Sequence, residues 1–496
     1  MFDRIKKLIL KPKTFWIILA LVYVVSRLAT WFYPFDSDHW IFYYVGNNWF
    51  HGGSLYLTAW DHKPPLIFLF NGLLSLIFGG NIIWHRIFFT LLSFVDIYLF
   101  YRLLWVIAPK LKVKLTALFI NSGLLLYVFW RNLSQFTSSG NNTENFGLTF
   151  FLGMILSYIS FRDDRKWWKL LISGVCFSIL FFLKGNFILL GVPIGILMLL
   201  DYYKDIKRLF LYSFLFVLPL FAQASFWLLH FWKQQTLYDF FVASFLFSSK
   251  YSKSAWSGNL SNNIVLLLTL VVFLVPVLLL FGIMITRLKK NKNNLIYLLI
   301  IMFFFSGLLL TLGVGSFYPY YFVISMPIFV IVMVYGLFNI SDMNKYFRYF
   351  IYLILVGSTI ISLGISMKQL LNSFGGNAKV EANEYAIVAE YVKNNTSSSD
   401  KVFDYDYGAT FYQLAERDSG SRYISASVLL LDYRDNYGFN LNEKFIADME
   451  NSKAKYVVVY KDKDNLYYQN KPIVDYFNEH YYLEKSFDKF EVLRRN

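Results

Sequence analysis

Cysteine is almost absent from this sequence, and several patterns that mark soluble enzymes are missing altogether. The 496 residues include one cysteine, Cys176, so no disulfide can form within the chain. The sequence has no glycine-rich phosphate loop, no histidines and cysteines at metal-binding spacing and no nucleophile elbow. A soluble nucleotide-linked substrate is therefore unsupported, and any activated substrate is expected to arrive by way of a lipid bilayer.

Charged residues are also scarce, at 16% of the chain, whereas 57% of the residues are hydrophobic and 21% are aromatic. Long uncharged runs in a chain of this composition predict a polytopic membrane protein. The net charge of +15 would suit a nucleic-acid partner. However, residues 373–496 hold 16 Lys and Arg against 20 Asp and Glu, so the positive surplus lies in short loops between apolar segments. Cytoplasmic loops of membrane proteins show this pattern, which argues against nucleic acid.

The apolar runs and the basic loops together predict the domain organisation. Residues 1–372 are predicted to form a mainly α-helical membrane domain with about eleven spans, beginning with an uncleaved helix at Thr14–Tyr33. Basic residues before this helix place the N-terminus in the cytoplasm, and an odd number of spans places residues 373–496 outside as a soluble α/β domain. In that domain we predict strands at 401–405, 423–427 and 456–460 and helices at 381–394 and 442–451.

An external loop at residues 34–83, with interfacial helices, carries the densest group of polar and aromatic side chains. Lys63 directly precedes Pro64–Pro65, a pair that favours an extended residue followed by the first turn of a helix. Because a helix N-terminus beside a lysine attracts anions, this segment predicts a phosphate site. Together with the acids Asp36 and Asp38, such a site supplies what glycosyl transfer from a phosphate-linked donor requires.

Each side chain in this loop also has a structural alternative. Asp38 is either a general base that takes a proton from an acceptor hydroxyl, or a solvated loop acid or helix cap. Asp36 could hold the same catalytic role, and spacing alone does not decide between the two. Lys63 either stabilises negative charge on a leaving phosphate or is an ordinary interface lysine. Asp61 is expected to orient Lys63 through an ion pair.

Further candidates lie beyond this loop. Arg86 and Arg131 are expected at the outer ends of two later spans, where each is either an interface anchor or a second cation for the phosphate. Lys184, in the run Lys184-Gly185-Asn186, interrupts an apolar segment, and charges inside membrane segments are functional hypotheses by default. Glu144 either lies favourably at a helix N-terminus or orients the acceptor, the donor sugar or a metal ion.

Several of these residues also resemble a family motif. The pattern is similar to the first external loop of GT-C fold glycosyltransferases (family 39/83-like), the group with bacterial aminoarabinose transferases and protein O-mannosyltransferases. It consists of Asp38, Gly52 and Gly53 with Tyr56, Asp61 with Lys63, Pro64 and Pro65, and then Arg86. Asn142-Thr143-Glu144 resembles the group's second acidic motif. Residues 316–327 resemble a later motif, with Tyr320 and Tyr321 where the group often has His-Tyr.

The resemblance covers nearly the whole chain and implies a GT-C fold, a polyprenyl-phosphate-linked sugar donor, a catalytic aspartate and chemistry on the outer face of the membrane. The acceptor would be a cell-wall polymer, a glycolipid or a protein. The motif assigns no cofactor, and a divalent metal ion is compatible with these acids. The candidates are Asp38 and Asp36 for catalysis, Lys63, Arg86, Lys184 and Arg131 for the donor phosphate, and Glu144, Asp61, Tyr320 and Tyr321 for orienting donor or acceptor.

Two other functions compete with this interpretation. A transporter or flippase of lipid-linked sugars would require polar groups spread through the spans, whereas here they gather at one face. A catalytically inactive relative that binds glycans through residues 373–496 would not need to retain Asp36, Asp38, Lys63 and Glu144 together.

Overall fold

The structure of the protein is a computed structural model. It describes residues 8–32, 35–257, 264–290, 295–312, 318–340, 343–374, 377–405, 408–461 and 466–496. The basic residues Arg4, Lys6 and Lys7, on which the predicted orientation partly depends, lie outside the described residues, and so do residues 316 and 317 of the later motif.

Helices make up most of the described chain. The α-helices, in chain order, are α1 Pro12–Phe32, α2 Ser37–Phe50, α3 Pro65–Phe78, α4 Ile82–Lys110, α5 Thr116–Asn132, α6 Ser134–Thr137, α7 Thr143–Asp164, α8 Trp167–Leu183, α9 Val192–Tyr202, α10 Ile206–Lys233, α11 Leu237–Phe241, α12 Phe247–Ser257, α13 Ile264–Lys290, α14 Leu295–Leu312, α15 Met326–Asn339, α16 Lys345–Phe374, α17 Asn377–Asn394, α18 Ala409–Ala415, α19 Ala426–Arg434, α20 Leu441–Ser452 and α21 Lys471–His480. Shorter 3₁₀ turns lie at Gly185–Leu190, Pro319–Ser325 and Leu466–Gln469, and a π-helical turn lies at Val242–Leu246.

Many of these helices suit a bilayer. Among the described residues, eight helical segments are long and apolar enough to cross a membrane, judged by length and composition. The protein is therefore a multi-pass membrane protein, while the predicted number of about eleven spans stays a prediction. The eight segments are Pro12–Phe32, Ile82–Lys110, Thr143–Asp164, Gly185–Tyr202, Ile206–Lys233, Leu295–Leu312, Pro319–Asn339 and Lys345–Phe374.

The chain divides into two compact units. Unit 1 contains residues 1–33, 86–226 and 255–371, and unit 2 contains residues 34–85, 227–254 and 372–496. Unit 2 thus groups the acidic loop with the C-terminal region and with a segment from the middle of the chain. The predicted domains, 1–372 in the membrane and 373–496 outside, stay a prediction.

Unit 1 is a helical bundle around an apolar core. In this core α7 packs along α8, α1 packs on α5, and α13 packs on α15. The predicted interruption at Lys184 is confirmed: α8 ends at Leu183, Lys184 is extended, and a 3₁₀ turn begins at Gly185. The break carries a charged side chain out of an otherwise apolar helical run.

Unit 2 begins with two helices in close contact. Pro64 has an extended backbone and α3 begins at Pro65, as predicted, because proline fixes a φ suited to the first helical turn. A Cβ atom on Gly46 would lie 2.5 Å from the backbone nitrogen of Gly72, so only glycine permits this approach of α2 to α3. The glycine contact fixes the helix that carries Asp38 against the helix that follows Lys63.

The C-terminal part of unit 2 contains a four-stranded mixed sheet, as expected for an α/β domain. Its strands are β1 Val402–Asp404, β2 Tyr456–Tyr460, β3 Tyr481–Ser486 and β4 Phe490–Arg495, in the order β1-β2-β4-β3. β1 pairs with β2 in parallel, and the remaining pairs are antiparallel. The predicted strands at 401–405 and 456–460 are confirmed, and β3 and β4 were not predicted because polar residues dilute their apolar pattern.

One predicted strand in this domain is wrong. Residues 423–427 do not form a strand; Tyr423 makes an isolated bridge with Trp60, and α19 begins at Ala426. The apolar residues continue beyond the predicted strand through Leu429 and Leu430, which are buried within the helix. Burial of these side chains in a helix outweighs the local preference for a strand.

Candidate active site

The two acids that compete for the role of base occupy different positions at the start of α2. Asp36 is the N-cap residue: its Oδ1 atom accepts a hydrogen bond of 3.0 Å from the backbone N–H of His39. Asp38 lies inside the first helical turn and is half-buried. The suggestion that Asp38 is the cap is therefore wrong, because Asp36 already accepts the N–H group that a cap would satisfy.

Asp61, His62 and Lys63 form a chain of polar contacts. Nδ1 of His62 lies 3.2 Å from Oδ1 of Asp61, and Nε2 of the same ring lies 2.8 Å from Nζ of Lys63. Burial by itself would raise the pKa of the Asp61 carboxyl, but the nearby charge of Lys63, followed by the neighbouring His62, lowers the pKa to about 2. Asp61 is consequently ionised. Its predicted ion pair with Lys63 is replaced by contact through the imidazole of His62.

The backbone of this segment is fixed by neighbours in unit 2. The hydroxyl of Tyr56 donates to the carbonyl of Lys63 at 2.8 Å, and the hydroxyl of Ser248 donates to the carbonyl of His62 at 3.0 Å. The N–H of Trp60 donates to the carbonyl of Arg422 at 2.8 Å, so the C-terminal region also holds the loop. Tyr56 has a φ of 70°, an uncommon backbone conformation for a tyrosine that the surrounding contacts maintain.

A second group of candidates meets in unit 1. Nζ of Lys184 lies 2.5 Å from Oε1 of Glu144, and the hydroxyl of Thr143 donates to the other oxygen of Glu144 at 2.8 Å. The Lys184 ammonium also lies over the ring of Tyr321, 4.1 Å from its centroid, and the ring of Tyr320 packs against Tyr321. Of the predicted residues, the structure therefore brings together Glu144, Lys184, Tyr320 and Tyr321.

The two arginine candidates differ in their surroundings. Arg131 is buried and its guanidinium donates to Oδ2 of Asp96 at 2.8 Å and to the hydroxyl of Thr137 at 3.1 Å. This pair gives no support to a phosphate-binding role, because a buried guanidinium matched to a carboxylate is already neutralised. Arg86 is half-buried at the start of α4 and donates to the carbonyl of Thr30 at 3.2 Å.

The described residues offer few ligands for a metal ion. No group of three or more His, Cys, Asp and Glu side chains is placed to hold a metal among the described residues. One oxygen of Asp61, Oδ2, is buried without a hydrogen-bond partner in the part of the chain that the structure describes. A single carboxylate oxygen is too small a donor set to assign a metal site.

Two functional candidates escaped the sequence analysis. The first is His62, which lies between Asp61 and Lys63 in the sequence and contacts both through its imidazole. Asp96 lies in the apolar helix α4 and is fully buried against Arg131. An isolated acid inside an apolar run was the signal that could have identified it.

Comparisons with known proteins agree with this architecture. Residues 62–227 match the family model described as dolichyl-phosphate-mannose-protein mannosyltransferase. The structure is similar to ArnT from Cupriavidus metallidurans bound to undecaprenyl phosphate, with a TM-score of 0.57 and 11% identity, covering 96% of this chain and 97% of ArnT. The chain has the GT-C fold of membrane glycosyltransferases.

Another GT-C structure shows the same similarity. The archaeal oligosaccharyltransferase AglB from Archaeoglobus fulgidus, in complex with an inhibitory peptide and a dolichol-phosphate, matches with a TM-score of 0.55 and 10% identity, covering 97% of this chain and 74% of AglB. No curated protein matches the chain by sequence. The resemblance predicted from the loop motif is thus confirmed at the level of the GT-C fold.

Proposed function

We propose that the protein is a membrane glycosyltransferase that moves a sugar from a polyprenyl-phosphate-linked donor to an acceptor on the outer face of the membrane. The observation that carries this proposal is the GT-C fold over 96% of the chain, shared with a protein whose structure holds undecaprenyl phosphate. The match of residues 62–227 to a mannosyltransferase family supports the same reaction class. The acceptor remains a cell-wall polymer, a glycolipid or a protein.

Lys63 is the main contact for the donor phosphate in this proposal. The residue is half-buried and immediately precedes the N-terminus of α3, where the helix dipole and unpaired backbone N–H groups favour an anion. As the bond between the sugar and the phosphate breaks, negative charge collects on the phosphate oxygens. A positioned ammonium stabilises that charge more in the transition state than in the bound donor.

Asp38 is the general base. In the transfer step the acceptor oxygen bonds to the anomeric carbon, the bond from that carbon to the phosphate oxygen breaks, and the acceptor proton passes to the Asp38 carboxylate. The helix-capping hydrogen bond of Asp36 supports this assignment, because it commits one Asp36 oxygen to the backbone. A weakly basic carboxylate suffices if the transition state is oxocarbenium-like and the proton leaves late.

The remaining candidates take supporting roles. Arg86 is a second phosphate contact, and Glu144 with Tyr320 and Tyr321 orients the acceptor or the donor sugar. Lys184 and Arg131 are weaker candidates for the phosphate, because Lys184 is already paired with Glu144 and Arg131 with Asp96. We further propose that the N-terminus is cytoplasmic and that residues 373–496 are external.

A transfer assay with purified protein tests the function. The protein in detergent is incubated with a radiolabelled polyprenyl-phosphate sugar and an envelope extract as the acceptor source, and release of polyprenyl phosphate is measured. Release that depends on the extract supports a transferase. Movement of the intact donor across proteoliposome membranes without release would favour a flippase instead. Mass spectrometry of envelope glycans from a deletion strain would then identify the sugar and the acceptor.

A further inference from the structure

The contact between His62 and Lys63 indicates which nitrogen of the imidazole accepts a hydrogen bond. A lysine ammonium has three donors and no acceptor, so Nε2 of His62, 2.8 Å from Nζ of Lys63, must accept the hydrogen bond. The ring proton is then on Nδ1, which lies 3.2 Å from Oδ1 of Asp61 without the geometry of a hydrogen bond. The negative charge of the carboxylate beside Nδ1 favours this tautomer, which presents a lone pair to the ammonium.

The imidazole itself is held in place. The backbone carbonyl of His62 accepts a hydrogen bond from the Ser248 hydroxyl. The centroid of the imidazole ring lies 5.4 Å from that of the Phe247 ring and 5.8 Å from that of the Tyr251 ring. The side chain is only 21% exposed, so neighbouring side chains restrict its motion. By contrast, the Lys63 side chain has four flexible bonds, and its ammonium requires an acceptor to occupy one position.

We propose that His62 is a positioning residue that holds the Lys63 ammonium where it meets the phosphate of a polyprenyl-phosphate donor. This proposal rests on the proposed function of Lys63 and adds the residue that holds the Lys63 ammonium in one position. Asp61 acts on Lys63 through His62, because its negative charge beside Nδ1 favours the tautomer whose Nε2 accepts from the ammonium. The phosphate contacts the ammonium through the donors that His62 leaves unused, because one N–H bonds to Nε2 and two remain.

Replacement of His62 separates this role from simple packing. His62→Phe keeps a planar ring and removes the acceptor, and His62→Gln places a carbonyl oxygen near the position of Nε2. Binding of undecaprenyl phosphate to the detergent-solubilised full chain is measured by tryptophan fluorescence. We expect His62→Phe to weaken this binding about tenfold, the scale of losing one hydrogen bond to a charged group. His62→Gln should bind within about twofold of the wild type, since a like acceptor is retained. His51→Phe, at an exposed histidine of the same unit, is the matched control.

A double-mutant cycle with Lys63 decides whether His62 acts through the lysine. If it does, His62→Phe in a Lys63→Ala background should cause no further loss of binding. An equal loss in both backgrounds, or a His62→Gln variant as weak as His62→Phe, would overturn the proposal. Should His62→Phe fail to fold, His62→Ala in the same cycle gives the same comparison. Unchanged binding in Lys63→Ala alone contradicts the phosphate role of Lys63, a different result from failure of the His62 coupling.

Discussion

Lys184 and Glu144, forty residues apart in the sequence, form an ion pair with 2.5 Å between Nζ and Oε1. Glu144 is 2% exposed and its other oxygen accepts a hydrogen bond from Thr143. The lysine was predicted to bind phosphate and the glutamate to orient a sugar. In the structure these two side chains neutralise each other. A substrate that binds one of them must therefore also supply an opposite charge to the other.

The Glu144–Lys184 pair is expected to stabilise unit 1 in a strongly coupled way. Removal of one partner leaves a buried charge, so Glu144→Gln or Lys184→Met alone should each lower the free energy of unfolding by about 3 kcal/mol. The double variant should lose much less than the sum of the two. Unfolding in SDS–detergent mixtures gives these values, and additive losses would contradict the coupling.

Asp38→Asn should abolish transfer, because it keeps the shape of the side chain and removes the basic oxygen. Donor binding should remain measurable, since the phosphate is held by other residues. Asp36→Asn serves as the matched comparison: its amide oxygen can still cap α2, so a measurable rate should remain. An inactive Asp36→Asn with an active Asp38→Asn would move the base to Asp36, and activity in both would remove the loop acids from catalysis.

Lys63→Ala should lower turnover by roughly 10²–10³, the scale of losing one preorganised electrostatic contact in a transition state. The effect should appear in kcat measured at saturating lipid-linked donor. Lys401→Ala, at a surface lysine paired with Asp418, is the control and should leave turnover unchanged. Near-normal turnover of folded Lys63→Ala protein would return Lys63 to the role of an interface anchor.

The stabilising contribution of ionised Asp61 should be lost in acid. Its pKa of about 2 lies below the value near 4 of an unfolded aspartate, so the folded state favours the ionised form. The resulting stability is fully present above about pH 4 and is lost as the pH falls through about 2. The melting temperatures of wild type and Asp61→Asn should therefore converge between pH 4 and pH 2, and a constant difference would argue against the shift.

Cysteine labelling tests the proposed orientation. In a Cys176→Ala background, single cysteines replace the exposed residues Ser398, in the C-terminal region, and Lys204, between α9 and α10. An impermeant thiol reagent should label position 398 in intact cells and position 204 only after permeabilisation. Labelling of position 204 alone in intact cells would reverse the orientation.

The sequence by itself determined the class of protein and its local elements. Long apolar runs between basic loops predict a membrane protein, Lys184-Gly185-Asn186 predicts the break after α8, and Pro64–Pro65 predicts the start of α3. These features are readable because they depend on the backbone preferences and hydrophobicity of neighbouring residues. The loop motif added the GT-C resemblance.

Only the tertiary structure decided which polar groups meet. Glu144 pairs with Lys184, and Asp96 with Arg131, because helices distant in sequence pack side by side. His62 joins Asp61 to Lys63 because the loop backbone is fixed by Tyr56 and Ser248. The sheet order β1-β2-β4-β3 likewise joins strands that are far apart in the chain. Such pairings depend on three-dimensional packing, and the periodicity of a single segment carries no information about that packing.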